Sequence, residues 1–244
     1  VSESTVVRFA NELGFSGYPK LQKALQELIK NKLTTVQRLE LSNDFASHGA
    51  ALKGVLKADM ENIRATLEKI NPYTFEDVLN SIFEAKNIYI IGLRSSTALA
   101  EFLGFYLNII LQNVRIVSYG ISDIFEQMIN IGEGDLVIGI GFPRYATKTI
   151  DVLDFSKARG AKVVAITDSL LSPLAAKADS TLIAQSNMAS FVDSLVAPLS
   201  VINALIIAVG MREKENIADI FANLENIWQE YNVYSYNNRN VADD

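Results

Sequence analysis

The sequence has no cysteine and only one histidine among its 244 residues. Without cysteine, the chain has no disulfide bonds, no thiolate nucleophile and no zinc site with cysteine ligands, and it fits a reducing compartment such as the cytoplasm. A single imidazole, that of His48, also removes the most common general base and most transition-metal sites. We therefore expect no metal site, no cofactor and no catalytic residue.

Long apolar runs are also missing. The most membrane-like run, Leu195–Met211, is interrupted by Pro198, Ser200 and Asn203, and it is shorter than the roughly 20 apolar residues that a transmembrane helix requires. The first residues, Val1–Asn11, carry charge and lack the apolar core of a secretory signal. We expect a cytoplasmic protein with no membrane partner, in which the apolar run is a buried helix.

Charge is unevenly distributed along the chain. The net charge is −6, but residues 1–41 contain six lysine or arginine residues and four glutamates and therefore carry +2. The remaining residues carry −8, which argues against nucleic-acid binding by this larger part. The asymmetry indicates a nucleic-acid-facing N-terminal segment on an acidic body, which is long enough for one large α/β domain.

The N-terminal residues predict a short helix from an N-cap at Ser2 to a C-terminal glycine, Gly14. Its apolar stripe comprises Val6, Phe9, Ala10 and Leu13. The opposite face carries Ser4 and Arg8, with Thr5 on its flank, and these residue types contact bases and phosphates in recognition helices. From these residues alone, a plain solvated face is the alternative.

The segment VSESTVVRFANELGFSGYPKLQKAL resembles the recognition helix and following helix of RpiR-type bacterial transcription regulators. The positions that match are Val1, Ser2, Thr5, Val6, Arg8, Phe9, Leu13, Gly14 and Phe15. The resemblance implies that residues 1–33 are part of a helix-turn-helix domain and that Ser2, Ser4, Thr5 and Arg8 lie near a DNA operator. The first helices of that domain have no counterpart here, so the resemblance is to a partial domain.

The rest of the chain predicts an α/β domain. Residues 34–50, which include His48, are polar and predict a linker. From Ala51 a long helix is predicted, with an apolar stripe that is a packing or dimer surface and consists of Leu52, Leu56, Met60, Ile63, Leu67 and Ile70. Thr74 and Asp77 resemble a capping box. Five short apolar segments then alternate with helical patterns: Asn87–Gly92, Val114–Tyr119, Asp135–Gly141, Lys162–Thr167 and Ser180–Ala184. This alternation predicts a five-stranded parallel sheet covered by helices on both faces.

Two loops that follow predicted strands have the composition of an anion site. The first carries Arg94, Ser95 and Ser96, and the second carries Arg144, Tyr145, Thr147 and Thr149. Hydroxyl groups and backbone N–H groups at a helix start, together with arginine, bind phosphate or carboxylate. The alternatives are hydroxyl groups that cap a helix and a turn with a surface arginine. A dinucleotide fingerprint is excluded, because Arg94 and Thr97 stand where it requires glycine.

These loops, with the later I-T-D…S-P-L-A…A-D sequence, resemble the SIS (sugar isomerase) domain that follows the helix-turn-helix in RpiR-type regulators. The resemblance implies a phosphosugar-binding domain over residues 51–244. Gly141, Pro143 and Ala146 depart from its second loop, because they replace hydroxyl residues. The resemblance therefore favours a phosphate contact through Ser96, with bidentate Arg144 in place of the missing hydroxyls.

The function that the resemblance implies is that of a dimeric regulator of carbohydrate metabolism, with a phosphosugar or related anion as effector. A phosphosugar isomerase of the same fold is the alternative, with Glu101 or Glu126 as the base. A binding module without DNA contact is a third hypothesis. An apolar helix is predicted over Ser190–Gly210, and Asp193 near its start is a candidate partner for a ligand hydroxyl.

Overall fold

The computed structural model describes residues 3–22, 25, 33–40, 45–120 and 122–234. Its sheet has five parallel strands in the order β2-β1-β3-β4-β5. The strands are β1 (Ile88–Gly92), β2 (Val114–Val117), β3 (Leu136–Ile140), β4 (Lys162–Thr167) and β5 (Ser180–Ile183). This architecture confirms the predicted fold class, and each strand ends within two residues of its predicted bounds.

Helices precede, connect and follow the strands. They are α1 (Glu3–Glu12), α2 (Thr35–Glu40), α3 (His48–Lys69), α4 (Pro72–Glu84), α5 (Thr97–Leu111), α6 (Ile124–Gln127), α7 (Thr147–Ala158), α8 (Val196–Arg212) and α9 (Lys214–Glu230). Residues 18–22 are also helical, and Arg94–Ser96 form a 3₁₀ turn before α5. The segment 34–50, predicted as a linker, contains α2 and the beginning of α3. The domain boundaries themselves stay a prediction.

The two faces of the sheet are covered by different helices. On β1, Ile88 and Ile90 belong to the core beneath α4, α5 and α8, whereas Tyr89 and Ile91 belong to the core beneath α6 and α7. Successive side chains of a strand point to opposite faces, and β1 is buried on both faces, so a continuous apolar run suits this position. This layered core holds the carboxyl ends of β1 and β3 side by side.

Two helix starts differ from the sequence prediction. Asn71, rather than Thr74, caps α4: its side chain accepts a hydrogen bond of 2.9 Å from the Tyr73 N–H, and Pro72 occupies the first turn, where its missing N–H costs nothing. The apolar helix begins at Val196 instead of Ser190. Asp193 therefore lies in a loop and not on a helix.

Helix α8 is buried along one face, whereas Ile207 and Met211 of the same helix are exposed. Among the described residues, no single helix is long and apolar enough to cross a membrane. One bent pair, α8 with residues 216–230, reaches that length and composition only in combination, across an angle of 107°.

Helix α3 turns its polar face inward. Thr66 Oγ1 accepts a 2.8 Å bond from the Gln185 N–H, and Asn62 Oδ1 accepts a 3.1 Å bond from the Asn187 N–H. These bonds satisfy backbone groups of the chain that continues beyond β5. The predicted apolar stripe consequently faces outward, with Met60 66% and Leu67 75% exposed. Most side chains of this stripe are therefore not covered by other parts of the described chain.

Helix α1 ends as predicted. Gly14 has φ +83°, and the Phe15 N–H donates to the Ala10 carbonyl at 2.9 Å, which is the backbone geometry of a glycine-terminated helix. Ala10 is buried, whereas Phe9 and Leu13 of the predicted stripe remain more than half exposed. The predicted DNA-contacting residues Ser4, Thr5 and Arg8 are exposed, and Ser2 lies outside the described residues.

Candidate functional site

The two predicted loops meet at the point where the strand order of the sheet reverses. From the adjacent strands β1 and β3, the chain proceeds outward in opposite directions, to β2 on one side and to β4 and β5 on the other. Such a switch point leaves a crevice at the carboxyl ends of the strands. Here it holds a cavity of about 210 Å³. Five of the seven predicted ligand residues line it: Arg94, Ser95, Ser96, Arg144 and Thr149.

The backbone of both loops is unusual. A Cβ atom on Gly92 would lie 2.5 Å from the Ser96 carbonyl oxygen, so only glycine allows the chain to turn this tightly after β1. Arg94 and Arg144 have φ values of 59° and 61°, in the left-handed region that residues with a Cβ seldom adopt. Backbone strain of this kind is concentrated at functional sites.

The buried hydroxyl groups of the cavity are not used in helix capping. Ser96 occupies the N-cap position of α5, is 4% exposed, and makes no side-chain capping bond. Thr149 Oγ1, in the first turn of α7, is buried without a hydrogen-bond partner, and the N-cap of α7 is Ala146, whose side chain cannot accept a bond. The helical N–H groups at both starts thus lack side-chain partners beside the cavity, and this arrangement favours an anion.

Three arginines and one aspartate give the cavity a net charge of +2. Arg38, from α2, is 3% exposed, and its Nη1 donates to Asp193 Oδ1 at 2.9 Å, while its buried Nε has no partner. Burial raises the pKa of Asp193, and the guanidinium groups of Arg38 and Arg144 offset only part of this effect. The positive charge is therefore only partly neutralised by the protein.

The two other predicted ligand residues lie beside the cavity. The Tyr145 hydroxyl donates to Asp168 Oδ1 at 2.8 Å, and Thr147 is the first residue of α7; neither lines the cavity. Asp168 thereby holds the second loop against the end of β4. Asp179 also has a structural position, because it accepts a bond from the Val163 N–H at 2.8 Å and pairs with Lys157.

Helix α2 also contributes to the cavity, which was not predicted from the sequence. Arg38 and Thr35 line the cavity, and the Arg144 Nη1 donates to Thr35 Oγ1 at 2.7 Å. A signal for this helix was nevertheless present. Thr34 and Gln37 form reciprocal bonds between side chain and backbone N–H, with distances of 2.9 and 3.3 Å, as the capping-box pattern T-x-x-Q predicts.

The residues considered as bases of an isomerase lie outside the cavity. Glu101 is exposed on α5, and Glu126 accepts a bond of 2.9 Å from the Asp123 N–H in the capping box of α6. His48 is exposed at the beginning of α3. Within the described ranges, no group of three or more histidine or acidic residues could hold a metal ion.

Comparisons with known proteins place these features in context. The sequence model of the SIS domain family matches residues 81–208 of this chain. The chain is 26% identical over 234 residues to an uncharacterized HTH-type transcriptional regulator from Haemophilus influenzae, and the match covers 89% of this chain and 77% of that protein.

Similar solved structures include the following two. The sugar isomerase domain of an RpiR transcription factor from Sphaerobacter thermophilus is 30% identical, with a TM-score of 0.68, over 70% of this chain and 96% of that chain. The NanR protein of Vibrio vulnificus, complexed with ManNAc-6P, is 18% identical, with a TM-score of 0.65, over 97% of this chain and 83% of that chain. The second likeness is one of fold.

Proposed function

Because the chain belongs to the SIS-domain family and is related over nearly its full length to RpiR-type helix-turn-helix regulators, we propose that it is a DNA-binding transcriptional regulator of carbohydrate metabolism. Its effector is a phosphosugar or a related small anionic sugar metabolite, which binds in the cavity between the two loops. As a regulator bound to an operator, it acts in the cytoplasm.

The observation that carries the ligand proposal is a pair of unpartnered donors. Among the described residues, four buried side-chain polar atoms lack a hydrogen-bond partner, and two of them, Arg38 Nε and Thr149 Oγ1, belong to cavity-lining residues. Leaving a buried polar group unpaired costs roughly 1–3 kcal/mol. An anion accepts hydrogen bonds from both groups and also reduces the net positive charge of the cavity.

The hydroxyl-bearing and charged residues of the two loops have separate roles in this proposal. Ser95, Ser96 and Thr149 donate hydroxyl hydrogen bonds to the phosphate, beside the N–H groups at the starts of α5 and α7. Arg94 and Arg144 supply charge-assisted bonds to it. Asp193 accepts from sugar hydroxyls. Tyr145 holds the second loop in place through its bond to Asp168, and Thr147 stands beside the cavity at the start of α7.

The remaining parts of the proposal concern DNA and assembly. Ser2, Ser4, Thr5 and Arg8 contact the operator, within a DNA-binding segment that comprises residues 1–33. A homodimer matches the two-fold symmetry of operator half-sites. The exposed apolar stripe of α3 is the surface through which we expect the dimer to form, since most of its side chains are more than half exposed.

A phosphosugar isomerase remains the alternative, because the SIS fold also occurs in isomerases. Aldose–ketose isomerisation requires a poised base. Asp193 is the one carboxylate among the described residues that line the cavity, and it is ion-paired with Arg38. Conversion of an aldose phosphate to the ketose by the purified protein would establish the enzyme and displace the regulator.

Calorimetric titration tests the effector proposal. N-acetylmannosamine 6-phosphate, glucose 6-phosphate, arabinose 5-phosphate and the corresponding free sugars are titrated into the wild type, Ser96→Ala and Thr149→Val. We expect one of the phosphates to bind, its free sugar to bind at least about tenfold more weakly, and both variants to lose affinity. Ser47→Ala, at the N-cap of α3, is the matched control and should bind as the wild type does. Equal affinities for phosphate and free sugar would refute a phosphate site.

A further inference from the structure

We propose that α2 is a latch whose docking against the SIS domain depends on cavity occupancy, with Arg38 as the residue that binds the anionic effector from α2. This inference rests on the proposed function of the cavity and adds how occupancy reaches the rest of the chain. The observations are the burial of Arg38, the bonds that hold α2, and the place of α2 in the sequence.

Helix α2 exposes its apolar side chains and buries a charged one against the SIS domain. Its apolar side chains Val36 and Leu39 are 65% and 56% exposed, whereas the charged Arg38 is 3% exposed. A short amphipathic helix normally buries its apolar residues and leaves its charges in water. The side chain that α2 buries against the rest of the chain is therefore the charged Arg38, and its cavity-facing side is polar.

Two hydrogen bonds join the cavity-facing side of α2 to other residues that line the cavity. Arg38 Nη1 donates to Asp193 Oδ1 at 2.9 Å, and Thr35 Oγ1 accepts from Arg144 Nη1 at 2.7 Å. The same residues form part of the charged lining that an anionic effector meets. A bound anion must therefore change the contacts that hold α2 in place.

The chemistry of the guanidinium group indicates the direction of this change. Asp193 occupies one terminal nitrogen of Arg38, and the buried Nε is left without a partner. An arginine presents five N–H donors, so a phosphate can bind through Nε while the ion pair with Asp193 remains. The anion thus adds a partner to Arg38 and does not compete with Asp193. Occupancy then strengthens the docking of α2.

The position of α2 gives this docking a consequence. Along the sequence, α2 follows the helical residues 18–22 of the predicted DNA-binding segment and precedes α3, which carries the exposed apolar stripe. A change in the docking equilibrium of α2 therefore acts on the connection to the DNA-binding segment. By thermodynamic reciprocity, loss of α2 docking must weaken effector binding by the same factor.

The absence of cysteine makes a direct test straightforward. Val36→Cys introduces one thiol on the exposed side of α2, away from the cavity, for an environment-sensitive dye. The labelled full chain is titrated with N-acetylmannosamine 6-phosphate, glucose 6-phosphate, arabinose 5-phosphate and inorganic phosphate, in parallel with calorimetry. We expect a saturable change in dye emission whose midpoint equals the calorimetric Kd. Leu171→Cys, on an exposed loop residue, is the control label and should not respond.

Two further variants separate docking from binding. In Arg38→Ala, affinity for the bound phosphate should fall at least about tenfold and the α2 label should no longer respond. Thr35→Val removes one docking contact but keeps every charge. The amplitude of the label response should therefore change and its midpoint should move to a higher effector concentration, even if Arg38→Ala folds poorly. Circular dichroism of both variants establishes that the SIS domain is folded.

The outcomes distinguish the latch from the effector site. If calorimetry detects binding but the α2 label is silent, or if the amplitude is unchanged in Thr35→Val and the affinity unchanged in Arg38→Ala, the latch is wrong and the effector site stands. If none of the four anions binds to the wild type, the proposed site and the latch are both overturned.

Discussion

Arg94 and Arg144 share a left-handed backbone conformation, with φ values of 59° and 61°, in two loops that face each other across the same cavity. For residues with a Cβ this conformation costs roughly 1–2 kcal/mol relative to the right-handed one. Glycine would adopt it without strain. The cationic side chains at these two positions are therefore present despite a cost in stability, as expected if they bind an anion.

Substitution at Arg144 separates the backbone cost from the side-chain contribution. Arg144→Gly and Arg144→Ala both remove the bond to Thr35, but only glycine relieves the left-handed strain. We expect Arg144→Gly to be more stable than Arg144→Ala by about 1 kcal/mol in urea unfolding. Both variants should lose phosphosugar affinity to a similar extent. Equal free energies of unfolding would show that the left-handed conformation carries no strain.

The serine at the start of α5 should behave differently from a capping serine. Ser47 Oγ accepts the Ala50 N–H at 3.1 Å, so Ser47→Ala should lower the free energy of unfolding by about 1 kcal/mol. Ser96 makes no such bond, and Ser96→Ala should leave thermal and urea stability within about 0.5 kcal/mol of the wild type. A loss of stability in Ser96→Ala as large as in Ser47→Ala would assign Ser96 to capping.

The pH dependence of stability should have opposite signs at two aspartates. Burial raises the pKa of Asp193 from an ordinary value of 3.8, so the folded state binds this proton more tightly than the unfolded chain. The stability that Asp193 contributes is therefore present below 3.8 and is lost as the pH rises through the raised pKa. In Asp193→Asn, this decrease should disappear from the free energy of unfolding measured between about pH 3 and pH 6.

Asp179 is the comparison. Burial acts to raise its pKa, but the hydrogen bonds from Lys157 and from the Val163 N–H outweigh burial and lower it. Its contribution is thus present above 3.8 and is lost as the pH falls through the lowered pKa. Asp179→Asn should remove a slope of the opposite sign to that removed by Asp193→Asn. Slopes of the same sign in the two variants would contradict these assignments.

The outward-facing stripe of α3 predicts a self-association surface. Met60→Glu or Leu67→Glu places a charge on side chains that are 66% and 75% exposed, where the monomer tolerates it and an apolar interface does not. Light scattering should show a shift from a dimer towards the 26.9 kDa chain. Leu171→Glu, on a residue that is 80% exposed, is the control and should leave the mass unchanged. A wild type that is already monomeric at micromolar concentration would rule this surface out.

The exposed face of α1 predicts the effect of one arginine on operator binding. In the full-length protein, Arg8→Ala should cost about 1–3 kcal/mol of operator affinity if Arg8 contacts a base. If it contacts a phosphate, the affinity should fall for all sequences and the salt slope should decrease by about 1. Glu12→Ala, at the end of the same helix, is the control. Unchanged affinity and salt slope in Arg8→Ala would show that α1 is not the recognition helix.

Local patterns predicted the sheet and the two loops because each strand is a short segment rich in apolar and β-branched residues between helical patterns. Such segments favour the strands of a covered parallel sheet, and their bounds were accurate to within two residues. The stripe of α3 was also visible, but its orientation was not. That orientation depends on Asn62 and Thr66, whose partners at Asn187 and Gln185 are more than 100 positions away.

The sequence by itself determined the α/β class, the strand bounds, and a pair of loops rich in arginine and hydroxyl groups, because periodicity and turn chemistry act over a few residues. The tertiary structure decided which of those side chains line the cavity. It turned Tyr145 towards Asp168, left Thr149 without a partner and buried Arg38 against Asp193. These outcomes depend on how helices dock onto the sheet, and no local pattern encodes an ion pair between residues 155 positions apart.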